Sequence, residues 1–241
     1  MAGLLEGKVA AVTGGARGLG AAICAAFRAE GATAAALDLD GPEPCDVTAE
    51  ASVAAALARV AAAHGRLDIV VCNAGVVPPW RGIAALDLEE WDRVFAVNVR
   101  GVAATMKAAV PHLASRGGAI IAMSSIMGYR AHPGQAAYVA SKHAVLGLVR
   151  AAALDLGRHG IRVNAIGPGS VATDALLARM AARAEAGIAP PVAQALAAAA
   201  QETALGRMVT AEDVARTAVY LASDLASGVT GQILPVEGGL A

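Results

Sequence analysis

Lys8-Val9-Ala10-Ala11-Val12-Thr13-Gly14-Gly15-Ala16-Arg17-Gly18-Leu19-Gly20 is the stretch on which the fold turns. Residues 8–13 form a short apolar run of β character that stops at glycines, and residues 21–30 have the character of a helix. The segment reads as strand, glycine turn, helix. The turn lacks the G-x-G-x-x-G spacing yet meets the same need, because glycines let backbone N–H groups approach a pyrophosphate at a helix N-terminus, where the macrodipole favours negative charge. Gly14, Arg17, Gly18, Leu19 and Gly20 are therefore candidate cofactor contacts. A glycine loop that merely packs closely is the plainer alternative.

Outward from the turn, a second β run over 33–37 ends in Asp38, about twenty residues past the glycines. A carboxylate there accepts hydrogen bonds from ribose hydroxyls and repels a 2′-phosphate, which favours NAD over NADP. Arg17 pulls the other way, since a guanidinium in the turn can hold a phosphate. Only seven residues separate Asp38 from Asp46, with Gly41, Pro42 and Pro44 among them, whereas a crossover between parallel strands takes a dozen or more. This unit is predicted to have lost its helix, and the strand after it to be vestigial or absent.

Beyond Asp46-Val47 the pattern alternates: a helix over 49–64, a buried strand over 67–71 that ends in Cys72-Asn73-Ala74-Gly75, and an amphipathic segment over 87–97. Asn98 and a strongly apolar helix over 101–114 come next. A strand over 119–123 delivers Ser124-Ser125 to its carboxyl end, and the helix carrying Tyr138 runs to near Gly160. A strand over 161–166 leads to Pro168-Gly169, and residues 231–236 read as the last strand. Alternation of this kind predicts one doubly wound α/β domain over residues 1–241, a central parallel sheet with helices on both faces. Such sheets bind ligands at the carboxyl ends of their strands.

Tyr138 and Lys142 stand four apart, so in a helix the phenol and the ammonium share a face. A phenol of pKa about 10 is a poor proton carrier at neutral pH, and a nearby cation is expected to lower that pKa. Taken singly, the pair also suits a solvated helix face, Ser125 a strand-end turn, and Asn98 or Thr173 a helix cap. Together they suit hydride removal from a carbinol, which needs a base on the hydroxyl and a donor for the developing oxyanion. No metal is required.

Composition narrows the field. The chain has 241 residues, 56% hydrophobic content, a net charge of −1 and a mean hydropathy of +0.55, enough for a large core. No basic block marks a nucleic-acid or anionic-membrane surface, and no apolar run is long enough to span a bilayer. Cys24, Cys45 and Cys72 lack metal-ligand spacing, and nothing at the N-terminus resembles a signal peptide, so a reduced cytoplasmic setting is expected. Cys72 reads as inert packing.

Thr13-Gly14-x-x-x-Gly18-x-Gly20, Asn73-Ala74-Gly75, Asn98, Ser125, Tyr138-x-x-x-Lys142 and Pro168-Gly169 with Thr173 resemble the short-chain dehydrogenase/reductase family, in order and over nearly the full length. The resemblance implies a Rossmann fold and an NAD-dependent oxidoreductase of secondary alcohols or ketones. It selects Ser125, thirteen residues before Tyr138, over Ser124. It implies that Tyr138 is the acid/base, that Ser125 polarises the substrate oxygen, that Lys142 binds the nicotinamide ribose and lowers the tyrosine pKa, and that Asn98 holds the water of a proton relay. Asp46 and Val47 match adenine contacts, Thr173 a carboxamide contact, and Asn73, Ala74, Gly75, Pro168, Gly169 and Val171 further cofactor positions. Cys72 and Glu237 depart from the pattern, where Asn and Asp are usual.

Residues 174–205, Ala-rich and interrupted by Gly187 and Pro190-Pro191, read as two short helices with a hinge, a substrate lid in this family. Met180, Ile188, Met127, Tyr129, His132 and Val76 are expected wall residues, so an apolar substrate is expected. Arg179, Arg183 and Glu185 are expected to face water, and His132 to be an ordinary surface histidine. The helices at 101–114 and 136–156 are apolar around much of their circumference, which points to a homo-oligomer, dimer or tetramer. The rivals are an NADPH-dependent ketoreductase of acyl-carrier or polyketide type and a non-catalytic dinucleotide-binding protein.

Overall fold

The computed structural model describes residues 3–240. Seven parallel strands form one sheet in the order β3-β2-β1-β4-β5-β6-β7: β1 Val9–Thr13, β2 Thr33–Asp38, β3 Glu43–Pro44, β4 Ile69–Cys72, β5 Gly118–Met123, β6 Ile161–Pro168 and β7 Ile233–Val236. Helices α1 Gly18–Ala29 and α8 Ala211–Ala222 cover one face. On the other lie α2 Glu50–His64, α4 Gly101–Leu113 and α5 Ala136–Leu156. Burial on both faces explains why β1 and β4 are apolar without alternation. Successive residues serve opposite cores: Ala11, Val70 and Ile120 pack toward Leu57, Met106 and Val149, while Val12, Val71 and Ile121 pack toward Ile23, Phe27 and Val214.

The chain steps outward from β1 to β2 and β3, then returns to lay β4 on the other side of β1. The direction of winding reverses there, so the carboxyl ends of β1 and β4 part to leave a crevice. As the seven-residue connection requires, no helix joins β2 to β3, and β3 is a two-residue strand at the sheet edge, paired Leu37 with Glu43 and Asp38 with Pro44.

Two local outcomes differ from the sequence expectation. The amphipathic segment and the apolar helix after it are continuous through Asn98: α3 Leu88–Phe95, capped by the Asp87 carboxylate on the Glu89 and Glu90 N–H groups, runs through a π-helical stretch, Ala96–Arg100, into α4. The wider turn carries Asn98 to complete burial. The second difference is Ile188, expected in a wall and 70% exposed. It follows α6 Asp174–Glu185 at the hinge before α7 Val192–Gln201, where Gly187 takes φ +68° and turns the chain outward. Among the described residues no helix is long and apolar enough to cross a membrane.

Candidate active site

A cleft of about 730 Å³ runs along the carboxyl ends of the strands. Its wall includes Gly14, Arg17, Gly18, Leu19, Asp38, Asp46, Val47, Asn73, Ala74 and Gly75, continues through Ser125, Tyr138 and Lys142, and closes with Pro168, Gly169, Val171 and Thr173. Of the catalytic and cofactor positions singled out in the sequence, only Gly20 and Asn98 stand behind this wall. Gly20 allows the turn to close, because a Cβ there would lie 2.1 Å from the Gly14 carbonyl oxygen.

At one end, β1 feeds α1 through the glycine turn. No side chain caps the N-terminus of α1, so its first N–H groups are available to a ligand. Gly18, at φ +55°, has open space where a Cβ would stand. The Asp38 carboxylate at the end of β2 accepts from the Ala16 N–H at 3.0 Å and the Leu39 N–H at 2.9 Å, which fixes its charge beside the turn. An uncapped helix start, a glycine opening and a carboxylate at the next strand end suit a dinucleotide.

Thr13 and Asn73 hold the two sides of the crevice together. The Thr13 hydroxyl donates to the Val71 carbonyl and accepts from the Asn73 and Ala74 N–H groups, at 3.0 and 3.2 Å. Asn73 Nδ2 donates to the carbonyls of Thr13 and Gly14, at 2.9 and 3.0 Å. The Asn73 amide is thus spent on shaping the turn. Asp46 is similarly engaged, accepting from the N–H and hydroxyl of Thr48, and Thr173 caps α6 through the Leu176 N–H.

At the other end, α5 presents Tyr138 and Lys142, one turn apart, toward the end of β5. Ser125 extends from β5, its hydroxyl accepting from the Met127 N–H at 3.2 Å and hydrogen-bonded to the Tyr138 phenol. Ser124 turns inward instead and donates to the Lys142 carbonyl at 3.2 Å. The Lys142 ammonium donates to the Met123 carbonyl at 2.8 Å and stands 5.6 Å from the centre of the Tyr138 ring. Behind them, Asn98 Oδ1 accepts from the Val76 N–H at 2.8 Å, and Nδ2 donates to the Val76 carbonyl and to Ser141 Oγ, at 2.9 and 3.2 Å. Ser141 donates in turn to the Tyr138 carbonyl. A Cβ at Gly75 would stand 3.3 Å from Asn98 Oδ1 and 3.7 Å from Lys142 Nζ, so backbone, amide and ammonium meet at one point.

The electrostatics differ from the expectation in one respect. Burial raises the Tyr138 pKa, and the opposing pulls come from the Ser125 hydrogen bond and the Arg179 guanidinium, not from Lys142. The reason lies in the lysine itself. Burial without a carboxylate partner drives its pKa down to about 8, which weakens it as a fixed charge. Cys72, buried at the end of β4, has its thiol pushed up to about 12 by burial, as inert packing requires.

The wall also differs from the expected set. Val76 and Met127 line the cleft, whereas Tyr129 and His132 do not. Arg179 belongs to the wall, half-buried, and Arg183 lies over the Trp80 ring, 3.8 Å from its centre. Only Glu185 of the three charged residues faces water fully. Trp80, Thr13 and Ser141 are participants to which sequence reading gave no role of their own, and Arg179 is one that it turned toward water. Thr13 had a signal, its place at the strand end beside the turn, while the others occupy positions that only helix docking brings to the site.

Fold and site together define an oxidoreductase built on a dinucleotide-binding sheet, acting on secondary alcohols or their ketones. A family model described as enoyl-(acyl carrier protein) reductase matches residues 14–241. The chain is 40% identical to the mitochondrial (−)-isopiperitenol/(−)-carveol dehydrogenase of Mentha piperita, covering 98% of this chain and 94% of that one. It is 38% identical to short-chain dehydrogenase reductase 5 of Arabidopsis thaliana, covering 98% and 95%. Among solved structures, carveol dehydrogenase from Mycobacterium avium in complex with NAD superposes with a TM-score of 0.90 at 33% identity, covering 98% of each chain. The chain belongs to the short-chain dehydrogenase/reductase family, whose members use nicotinamide dinucleotides.

Proposed function

We propose that this enzyme uses NAD(H), with Tyr138 as the acid/base, Ser125 as the donor to the substrate oxygen, and Lys142 as a ribose contact. The contact between the Ser125 hydroxyl and the Tyr138 phenol in the cleft carries this reading, because two donors converging on one point can hold a carbinol or carbonyl oxygen. When bound, the nicotinamide exchanges the hydride with the carbinol carbon. In oxidation Tyr138, once it has lost its own proton, takes the hydroxyl proton as the phenolate while Ser125 steadies the developing oxyanion; in reduction the phenol gives that proton to the carbonyl oxygen. The side chain of Asn98 is fully engaged with Val76 and Ser141, so the relay water proposed for this residue rests on its main-chain carbonyl.

The fixed charge of Asp38 supports NAD over NADP. The cleft wall formed by Val76, Val77, Trp80, Ile126, Met127 and Leu176 supports a substrate with an apolar body. So do the names of the carveol-oxidising relatives. Helices α6 and α7, none of whose residues is fully buried, act as the lid, and the enzyme works as a cytoplasmic homo-oligomer. The test is Tyr138→Phe: turnover of a secondary alcohol should fall at least about a thousandfold, while NADH binding, followed by fluorescence titration, persists. Retained turnover in this variant would falsify the assigned mechanism.

A further inference from the structure

Arg179 is a charged group of the cleft wall that proton and hydride transfer do not use. It sits on α6, one turn beyond Leu176 and one turn before Arg183, on the side of the helix that overhangs the cleft. Arg183 fixes that orientation, because its guanidinium lies 3.8 Å above the centre of the Trp80 ring, which itself meets the His132 ring at 4.5 Å and a tilt of 59°. Arg179 is half-buried at the substrate end, near enough to the Tyr138 phenol for its charge to be felt there.

Among the described residues no carboxylate or carbonyl accepts a hydrogen bond from Arg179 and none forms an ion pair with it. The other charged residues of the wall do not answer it. Arg17, Asp38 and Asp46 belong to the dinucleotide end, Lys142 is bound to the Met123 carbonyl, and Asp174 opens α6 without pairing to it. A guanidinium presents five donors in a planar fork matched to a carboxylate. Drawn half out of water and left unpaired, it is a cost that a complementary ligand removes.

We propose that Arg179 recognises a carboxylate on the substrate, so that the enzyme acts on hydroxy acids or keto acids with an apolar body, the acid group a few bonds from the carbinol. The proposal rests on the dehydrogenase reading above and narrows its substrate class. With the reacting oxygen held between Ser125 and Tyr138, the apolar body lies against Val76, Trp80 and Met127, and the carboxylate meets the guanidinium under α6.

The test uses matched pairs, each a secondary hydroxy acid and its methyl ester, in acyclic and cyclic series, with kcat/KM read from NADH formation. At least one acid is expected to exceed its ester tenfold or more. In Arg179→Met the acid-to-ester ratio should fall about a hundredfold, chiefly through KM, and Arg179→Lys should restore part of it. Taking the ratio cancels any effect of Arg179 on Tyr138 that both substrates share. If no acid outruns its ester, or if Arg179→Met lowers both alike, the proposal fails while ester turnover leaves the dehydrogenase reading standing. An NADH Kd weakened tenfold in Arg179→Met would also overturn it, assigning the guanidinium to the cofactor. Absence of turnover with every pair and with neutral secondary alcohols would overturn the dehydrogenase reading itself.

Discussion

Lys142 shows how a residue can be placed against its own preference. The residue is 5% exposed, and its ammonium has one carbonyl partner and no carboxylate, so its pKa drops from near 10.5 to about 8. A lysine that binds its proton less tightly when folded opposes folding below about pH 8, and the penalty is relieved as pH rises from there toward 10.5. A shift of this size corresponds to about 3 kcal/mol at pH 7. Lys142→Met is expected to raise the unfolding free energy of the ligand-free protein by about 1–3 kcal/mol at pH 7, with the advantage shrinking by pH 10, and to abolish activity. Urea titrations of both proteins at the two pH values measure it; a variant less stable at pH 7 would contradict the account. Asp38 makes the parallel case at the other end of the cleft. Removing its charge in Asp38→Ala should lift the exclusion of a 2′-phosphate and raise kcat/KM for NADPH relative to NADH by about tenfold or more. Initial rates with the two cofactors decide this, and an unchanged ratio would show that Asp38 does not read the ribose.

At the scale of elements, the glycine turn with its flanking strand and helix was legible because everything that forms it is local. The Tyr138 and Lys142 pairing on α5 was legible for the same reason. The π turn at Ala96–Arg100 was not, since nothing in its five residues distinguishes it from ordinary helix until Asn98 finds the Val76 backbone. Helix α6 misled more seriously. Its arginines read as a solvated face, yet the helix docks so that Arg183 covers Trp80 and Arg179 enters the cleft. One hold on it is the cation–π contact of Arg183 with Trp80, at a partly exposed site and worth about 0.5–1 kcal/mol. Trp80→Ala should therefore loosen α6 without unfolding the sheet, and trypsin should cut after Arg179 and Arg183 several times faster than in the parent protein. Unchanged cleavage would mean that other contacts hold the helix.

Across the whole molecule, the apolar circumference of α5 finds only part of its cover within one chain. Val145, Val149 and Ala153 face the core, while His143, Gly147, Arg150 and Leu154 lie open, Leu154 at 86% exposure. An exposed leucine beside small residues suits close packing against a second copy. Light scattering at micromolar concentration is expected to give a multiple of the 23.8 kDa chain mass, and Gly147→Glu with Leu154→Glu to shift it toward the monomer. A monomeric parent protein would sink the oligomer proposal.

The alternation of strands and helices, the lost helix between β2 and β3, the glycine turn and the pairing of Tyr138 with Lys142 were determined by sequence alone. Each depends on short-range pattern: apolar runs, turn residues, helical spacing, and a connection too short to hold a helix. Tertiary structure decided what those residues touch. It spent the amides of Asn73 and Asn98 on backbone, buried Lys142 without a counter-charge, and turned two arginines of a seemingly solvated helix toward a tryptophan and the Tyr138 phenol. Burial and docking set those outcomes, because the dielectric and the partners around a side chain come from segments distant in the chain.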